Sequence, residues 1–546
     1  MTRQSVDTLL SQLGQPGRYQ IMIFFLLTFQ YIPLSFNNLA MIFLGDKPTG
    51  IYCPASNFSL REGCAGEISF KDYDIRTCTK KRPEVDSTSV MAGNDTYGNN
   101  SLWCSVNCEG KRYMHGNEGE SSIVGEFDLI CEDYWLVSLC NTMYFAGSMV
   151  GGAVFGILAD KFGRKRSIIA ASTMGLAAGI AAAFAPHLIL FAISRTILGI
   201  CLQGGSMSAF TLMMESFPRD YRESAGVASQ FVFAIGIVLL AGFAYLIPNW
   251  RYLQLFVVLT VLIAVAYIFL VHESLRWLYI NYRFEHASNI VHKIMRFNGV
   301  QLTKRISDCM SYLVMWHQKD EEIDDKASHS MWNLFTSAQL RKRCLCMTFI
   351  WFTGAICYYA ISFSLSDWFG SKYWNLAIGG LVDVPITLIT MLLVSKYGCR
   401  VPLIYTSGLS GVLCLIAASI PLHSHAAMIA KTVFAQIARA VSHGMFNMMI
   451  PYASELFPTV VRNNGLGVCG IGMRLGGVLA PQLLLLGNYT TDYLPMITCG
   501  VMAGAAALIS YLLPETKGHP MPETVEDLLL RQTSVKSKRV EDFTDD

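Results

Sequence analysis

Runs of about twenty apolar residues recur along almost the whole chain, broken by polar turns, and no other feature limits the fold as strongly. Each run is long enough to cross the hydrocarbon of a bilayer as a helix. Twelve such spans fall near 20–44, 135–158, 167–186, 188–213, 225–247, 252–271, 343–365, 374–395, 402–421, 426–452, 465–487 and 493–513. Composition agrees: 52% of the 546 residues are hydrophobic and 15% charged, where soluble domains carry about 25% charged residues. The net charge of +2 comes with no basic run of nucleic-acid-binding type. Residues 1–19 are polar and the run behind them is long enough to span, so no cleavable signal peptide is expected.

The turn Asp160-Lys-Phe-Gly163-Arg164-Lys165-Arg166 joins the second and third spans and holds four cations in seven residues. Such a turn cannot lie in hydrocarbon and marks a cytoplasmic face. Asp160 can pair with a neighbouring arginine or accept from a helix N-terminus. Insertion 45–134 contains Cys53, Cys64, Cys78, Cys104, Cys108 and Cys131, beside sequons at Asn57, Asn94 and Asn99. An even cysteine set next to glycosylation acceptors points to a folded, disulfide-bonded extracellular loop, against the alternative of free thiols and chance sequons. Span parity then puts both termini and insertion 272–341 inside. The expected organisation is a cytoplasmic N-terminus (1–19), a six-helix half (20–271), a cytoplasmic helical loop (272–341), a second half (342–513) and a tail (514–546).

Three landmarks repeat. Gly163 to Gly398, Glu215 to Glu455 and Glu273 to Glu515 are steps of 235, 240 and 242 residues. Near-equal steps across half the chain describe two six-helix halves in the same orientation, an arrangement that places a site between them near the midplane. In both copies an acid precedes an arginine by seven residues, as Glu215 with Arg222 and Glu455 with Arg462. With Asp160, Arg164, Lys165, Glu273, Arg276 and Glu515, and with Gly163 as the turn residue among them, these residues are expected to form ion pairs. Such pairs would either gate the inner side or fix loop geometry.

The chain resembles the major facilitator superfamily and, within it, the organic-ion transporters of solute carrier family 22. The residues that carry the match are Asp160-Lys-Phe-Gly-Arg-Lys165, Glu273-Ser-Leu-Arg276-Trp-Leu278, Glu455-Leu-Phe-Pro-Thr-Val-Val-Arg-Asn463 and Pro514-Glu515-Thr-Lys-Gly518. Sugar porters share several of them; the long cysteine-rich loop selects the organic-ion family. The second basic turn departs from the pattern, with Ser395 where an acid is usual. The resemblance implies an all-α, twelve-helix carrier at the plasma membrane.

An ionised side chain at bilayer depth costs about 2.5–3.5 kcal/mol on insertion scales, so each needs a reason. Arg474 in span eleven sits where the family resembles a charge selector, Asp in cation carriers and Arg in anion and carnitine carriers. It would draw carboxylate or sulfate groups, or else pair with an acid of another helix. Asp383 in span eight is its nearest candidate partner. Thr387 stands where anion carriers resemble Lys, which leaves room for a zwitterion. Arg439 aligns with a family lysine, and Arg195 is read as structural. Trp351, Tyr358, Tyr359, Phe446, Phe231, Phe233 and Asn38 resemble family cavity residues. Aromatic faces there would bind flat or cationic groups at about 0.5–2 kcal/mol each; the alternative is helix packing.

No phosphate loop, His-Glu-x-x-His pair or paired Cys-x-x-Cys set is present, so neither an ATP-driven pump nor a metal or other cofactor is expected. The reading is a carrier, not an enzyme, for a small organic anion or carnitine-like zwitterion, driven by its own gradient or by an exchanged or co-transported ion. Its partners are that ion and the lipid bilayer, with no nucleic acid. The alternatives are an organic cation carrier with Asp383 as counter-ion and a non-transporting membrane receptor.

Overall fold

Two of the long helices end at the glycines of the basic turns. α3 (Trp135–Phe162) stops at Gly163, whose φ of +106° a side chain would resist, and α4 (Arg164–Ala183) starts at the next residue. The computed structural model describes residues 2–14, 17–53, 66–69, 73–74, 79–80, 112–115, 119–266, 270–320, 337–421, 424–458 and 461–517. Among the described residues ten helical segments are long and apolar enough to cross a membrane. They are α2 (Arg18–Leu44, with breaks), α3, α4, α5 (Leu188–Ser216), α6 (Arg219–Leu246), α11 (Ala338–Phe363), α12 (Lys372–Tyr397), α13 (Arg400–Ser419), α15 (Arg462–Tyr489) and α16 (Leu494–Tyr511).

Two more helices lie where the sixth and tenth spans are expected, but neither is both long and apolar enough to count as a span. α7 (Trp250–Ala266) is 17 residues long, and its apolar core Trp250–Ile263 is shorter still. α14 (His425–Leu456) has 32 residues but carries Lys431, Gln436, Arg439, His443 and Asn447, which lower its hydropathy. The two halves meet where α3 packs on α15 and α6 on α12. A buried apolar cluster at the end that bears insertion 45–134 joins Phe36, Phe43 and Ile237 of the first half to Leu365, Tyr373 and Leu376 of the second.

The opposite end, which bears the basic turns, is built over with short helices. α1 (Thr2–Gln12), α8 (Leu275–Ile280), α9 (Phe284–Asn298) and α10 (Lys304–Asp320) pack beneath the first half. α9 buries Ala287, Ile290, Val291 and Ile294, a three-to-four spacing that turns one face inward. Among the described residues of insertion 272–341, α8, α9 and α10 pack together, and the N-terminal segment packs with them as a helix.

The repeat is visible in the turns. A Cβ at Gly163 would lie 2.4 Å from an oxygen of Glu273, and one at Gly398 (φ +81°) 2.4 Å from an oxygen of Glu515. Two acids 242 residues apart thus face equivalent glycines. In insertion 45–134 a strand β1 (Gly50–Cys53) pairs antiparallel with β2 (Gly66–Ser69) and β3 (Arg112–Met114). Cys131 is disulfide-bonded. Cys64, Cys78, Cys104, Cys108, Asn57, Asn94 and Asn99, and the side chain of Cys53, lie outside the described residues.

Candidate functional site

Away from the helix ends, three guanidinium groups sit within the long helices among the described residues, and each has a different fate. Arg195 on α5 is fully buried, donates to the Asn37 side-chain and backbone oxygens at 3.3 and 3.2 Å, and stands 4.6 Å over the Tyr144 ring. This is a packing role, as the sequence suggests. Arg439 on α14 donates to both carboxylate oxygens of Asp383 on α12, at 3.0 and 3.2 Å, with both side chains wholly buried. The expectation that Asp383 partners Arg474 is thereby corrected. Burying two charges next to each other without water demands this bidentate geometry.

Arg474 on α15 makes no hydrogen bond or ion pair among the described residues, and its Nε is buried without a partner. It is half-buried and lies against Gly152 of α3, on the other half. A Cβ at Gly152 would come within 2.4 Å of the guanidinium, so only glycine leaves that place open. No local pattern in the sequence links Gly152 to Arg474, 322 residues later.

Around these charges the aromatic residues take up distinct positions. Tyr358 lies under Arg439, 5.4 Å from ring centre to guanidinium, and meets Phe446 edge-on at 5.7 Å. Thr387 ties this layer together, accepting from Asn447 at 3.0 Å and lying 3.3 Å from the His443 ring nitrogen. Tyr359 points to the other half: its hydroxyl accepts from Asn38 at 3.2 Å, and its ring meets Phe145 edge-on at 4.8 Å. Asn38 in turn accepts from Tyr144 at 2.8 Å. Phe145, which sequence reading missed, also abuts Gly477, three residues beyond Arg474. Trp351 is buried among Met445, Met448 and Met449, and Phe233 in the apolar cluster with Phe36 and Ile237. Phe231 is half-buried.

Two ionic assemblies lie at the ends of the bundle. At the basic end Arg164 pairs with Asp160 at 2.9 Å and Glu215 at 3.2 Å. Glu273 accepts from the backbone N–H groups of Arg164 and Lys165 at 2.9 and 3.2 Å, capping α4. Arg222 and Arg276 both converge on Asp7, and Thr516 bonds Glu455. Arg462 turns its Nε to the Phe457 carbonyl at 3.4 Å. The Arg164 pairs tie elements within residues 20–271, whereas Asp7 joins the N-terminal helix to Arg222 of α6 and Arg276 of α8. At the other end a clasp crosses between halves: Lys372 of α12 bonds Asp46 and Glu120, and Tyr373 donates to Glu120 at 2.8 Å. Burial raises the Asp46 carboxyl above its ordinary value, opposed by Lys372 and Lys47 and helped by Glu120.

Ten helices long and apolar enough to cross a bilayer, among the described residues, define a multi-pass membrane protein. Residues 86–528 match the family described as "Sugar (and other) transporter". The chain is 32% identical over 528 residues to "Organic cation transporter protein" of Drosophila melanogaster, covering 95% of this chain and 94% of that one. It is 30% identical to "Solute carrier family 22 member 3" of Mus musculus (96% and 95% covered) and to "Organic anion transporter 3" of Sus scrofa (95% and 93%). The fold matches the xylose transporter XylE from E. coli in its partially occluded inward open conformation, with a TM-score of 0.60 at 15% identity over 91% of this chain and 100% of that one. The chain belongs to the major facilitator superfamily and, within it, to solute carrier family 22; it is a transporter and not an enzyme.

Proposed function

We propose that the chain is an alternating-access carrier of small organic ions at the plasma membrane, with twelve spans in two six-helix halves. The loop 45–134 faces outside and the basic turns face the cytoplasm. Its preference is for organic anions or carnitine-like zwitterions. One observation carries this reading: Asp383 is already neutralised by Arg439, while Arg474 stands unpaired between the halves. The central charge left for a ligand is therefore positive, and a carboxylate or sulfate would meet the guanidinium in a charge-assisted, bidentate contact. Tyr359, half-buried near Arg474's helix, offers ring surface to the rest of the ligand, with Phe145 buried behind it against Gly477.

With the outer clasp of Lys372 engaged, the arrangement corresponds to a carrier closed toward the outside. Ligand arriving from outside requires that clasp to part and the halves to rock. An exchanged or co-transported ion would supply drive beyond the substrate's own gradient. A second reading, an organic cation carrier, draws support from the Drosophila relative named an organic cation transporter; it requires Asp383 to leave Arg439 for the substrate.

Uptake of a labelled aryl carboxylate, carnitine and a quaternary amine into cells expressing the chain separates these. The reading expects uptake of the first or second. Uptake of the amine alone favours the cation reading, and uptake of none favours a non-transporting receptor.

A further inference from the structure

A cavity of about 780 Å³ opens at the basic end, where the start of α4 meets residues 272–278 and α9. Five cations from three separate segments line it: Lys165 and Arg166 from the first turn of α4, Arg283 ahead of α9, and Lys293 and Arg296 from α9 itself. α9 is built for this. His286, Asn289, Lys293 and Arg296 fall three or four residues apart and line the cavity, while the opposite face is buried on the first half. Glu273 is the one acid in the lining among the described residues, and its oxygens already accept from the α4 N-terminus. The lining therefore keeps a positive excess that transport between the halves does not use.

The excess is felt locally. His272 in the same wall is held below its ordinary value, first by burial and then by Lys293 and Lys165. Exposed apolar side chains close in sequence to the lining, Phe162 (48% exposed), Ile280 (66%) and Phe297 (49%), suit contact with acyl chains more than with water. A recess of clustered Lys and Arg at the cytoplasmic ends of spanning helices matches the chemistry of a multiply phosphorylated headgroup.

We propose that this cavity binds a phosphorylated anion presented by a lipid of the inner leaflet, with Lys165, Arg166, Arg283, Lys293 and Arg296 as its phosphate ligands. The inference rests on the membrane orientation given above and on no part of the substrate assignment.

The test uses the full-length protein in phosphatidylcholine nanodiscs doped with phosphatidylinositol bisphosphate, with retained lipid counted by native mass spectrometry. Lys293→Glu with Arg296→Glu, both exposed on α9, is expected to weaken retention by about an order of magnitude or more. Lys304→Glu with Arg305→Glu makes the same charge change on α10, outside the cavity, and is expected to leave retention as in the parent. Equal loss in both double variants, or no retention by the parent, would overturn the site. Soluble inositol trisphosphate separates the sources: weak displacement supports a lipid, and displacement at equal concentration would overturn the lipid source in favour of a free phosphorylated solute. Because nanodiscs expose both faces and no uptake is measured, a failed result here is distinct from failure of the carrier reading.

Discussion

Asp383 and Arg439 face each other across α12 and α14 through two hydrogen bonds of 3.0 and 3.2 Å, and neither side chain reaches solvent. Gly379 makes this possible, since a Cβ there would stand 2.8 Å from the Arg439 guanidinium. The pair removes both charges from the ligand's account and leaves Arg474 as the cation that faces the other half.

Removing one partner strands the other. Asp383→Asn or Arg439→Gln is expected to destabilise the protein by about 3–5 kcal/mol each. The double variant is expected to lose clearly less than the sum. Thermal unfolding of the four proteins in detergent gives the coupling; additive losses would mean that the two groups do not act as a pair.

Glu273 caps α4 from 109 residues away and crowds Gly163. Glu273→Ala is expected to cost about 1–2 kcal/mol. Gly163→Ala is expected to cost about 1–3 kcal/mol, because it adds a clash to a backbone at φ +106°. The equivalent Gly398→Ala is expected to behave alike. Melting temperatures check both, and an unchanged value for Gly163→Ala would contradict the geometry.

Lys372 holds the outer ends of the halves together through Asp46 and Glu120. Lys372→Ala is expected to move the population toward the outward-open state. Spin labels at Tyr252 and Trp374, both exposed on opposite halves, should report a longer distance by pulsed electron resonance. An unchanged distance distribution would remove the clasp from the gating scheme.

The clasp also carries a pH sign. Burial raises Asp46 above its ordinary 3.8 when the clasp is closed. A closed state with the higher carboxyl value binds the proton more tightly than an open one whose Asp46 is hydrated. Acidification through the interval above 3.8 is therefore expected to favour closure, and raising the pH out of it to favour opening. The same spin-label distance followed against pH checks the sign, with Asp46→Asn expected to flatten the dependence.

Ten of the expected spans and the basic turns between them were readable because hydrocarbon leaves so few choices: apolar runs must be helices, and Lys and Arg must lie at their ends. The packing role of Arg195 was readable for a similar reason, its glycine-rich surroundings. The partner of Asp383 was not. The sequence points to Arg474, yet Arg439 lies within reach as well, and only the crossing of α12 and α14 decides. The Lys372 clasp and the Gly152 recess are also contacts between distant segments, with no local pattern to mark them. Adjacent aromatic residues on one helix diverge by about 100°, so Tyr358 turns to Arg439 and Tyr359 to Asn38.

Gly152→Val is expected to displace the Arg474 guanidinium from the face between the halves. Its signature is a raised KM for an organic anion with the protein still at the cell surface. An unchanged KM would mean that the substrate does not meet Arg474 where this structure holds it.

The central claim is that Arg474 confers charge preference, and uptake by Arg474→Asp beside the parent chain tests it most directly. A charge-assisted contact contributes about 1.5–3 kcal/mol, so anion uptake should fall roughly tenfold to a hundredfold while that of a quaternary amine holds or rises. Anion uptake that survives the reversal undiminished would contradict the account.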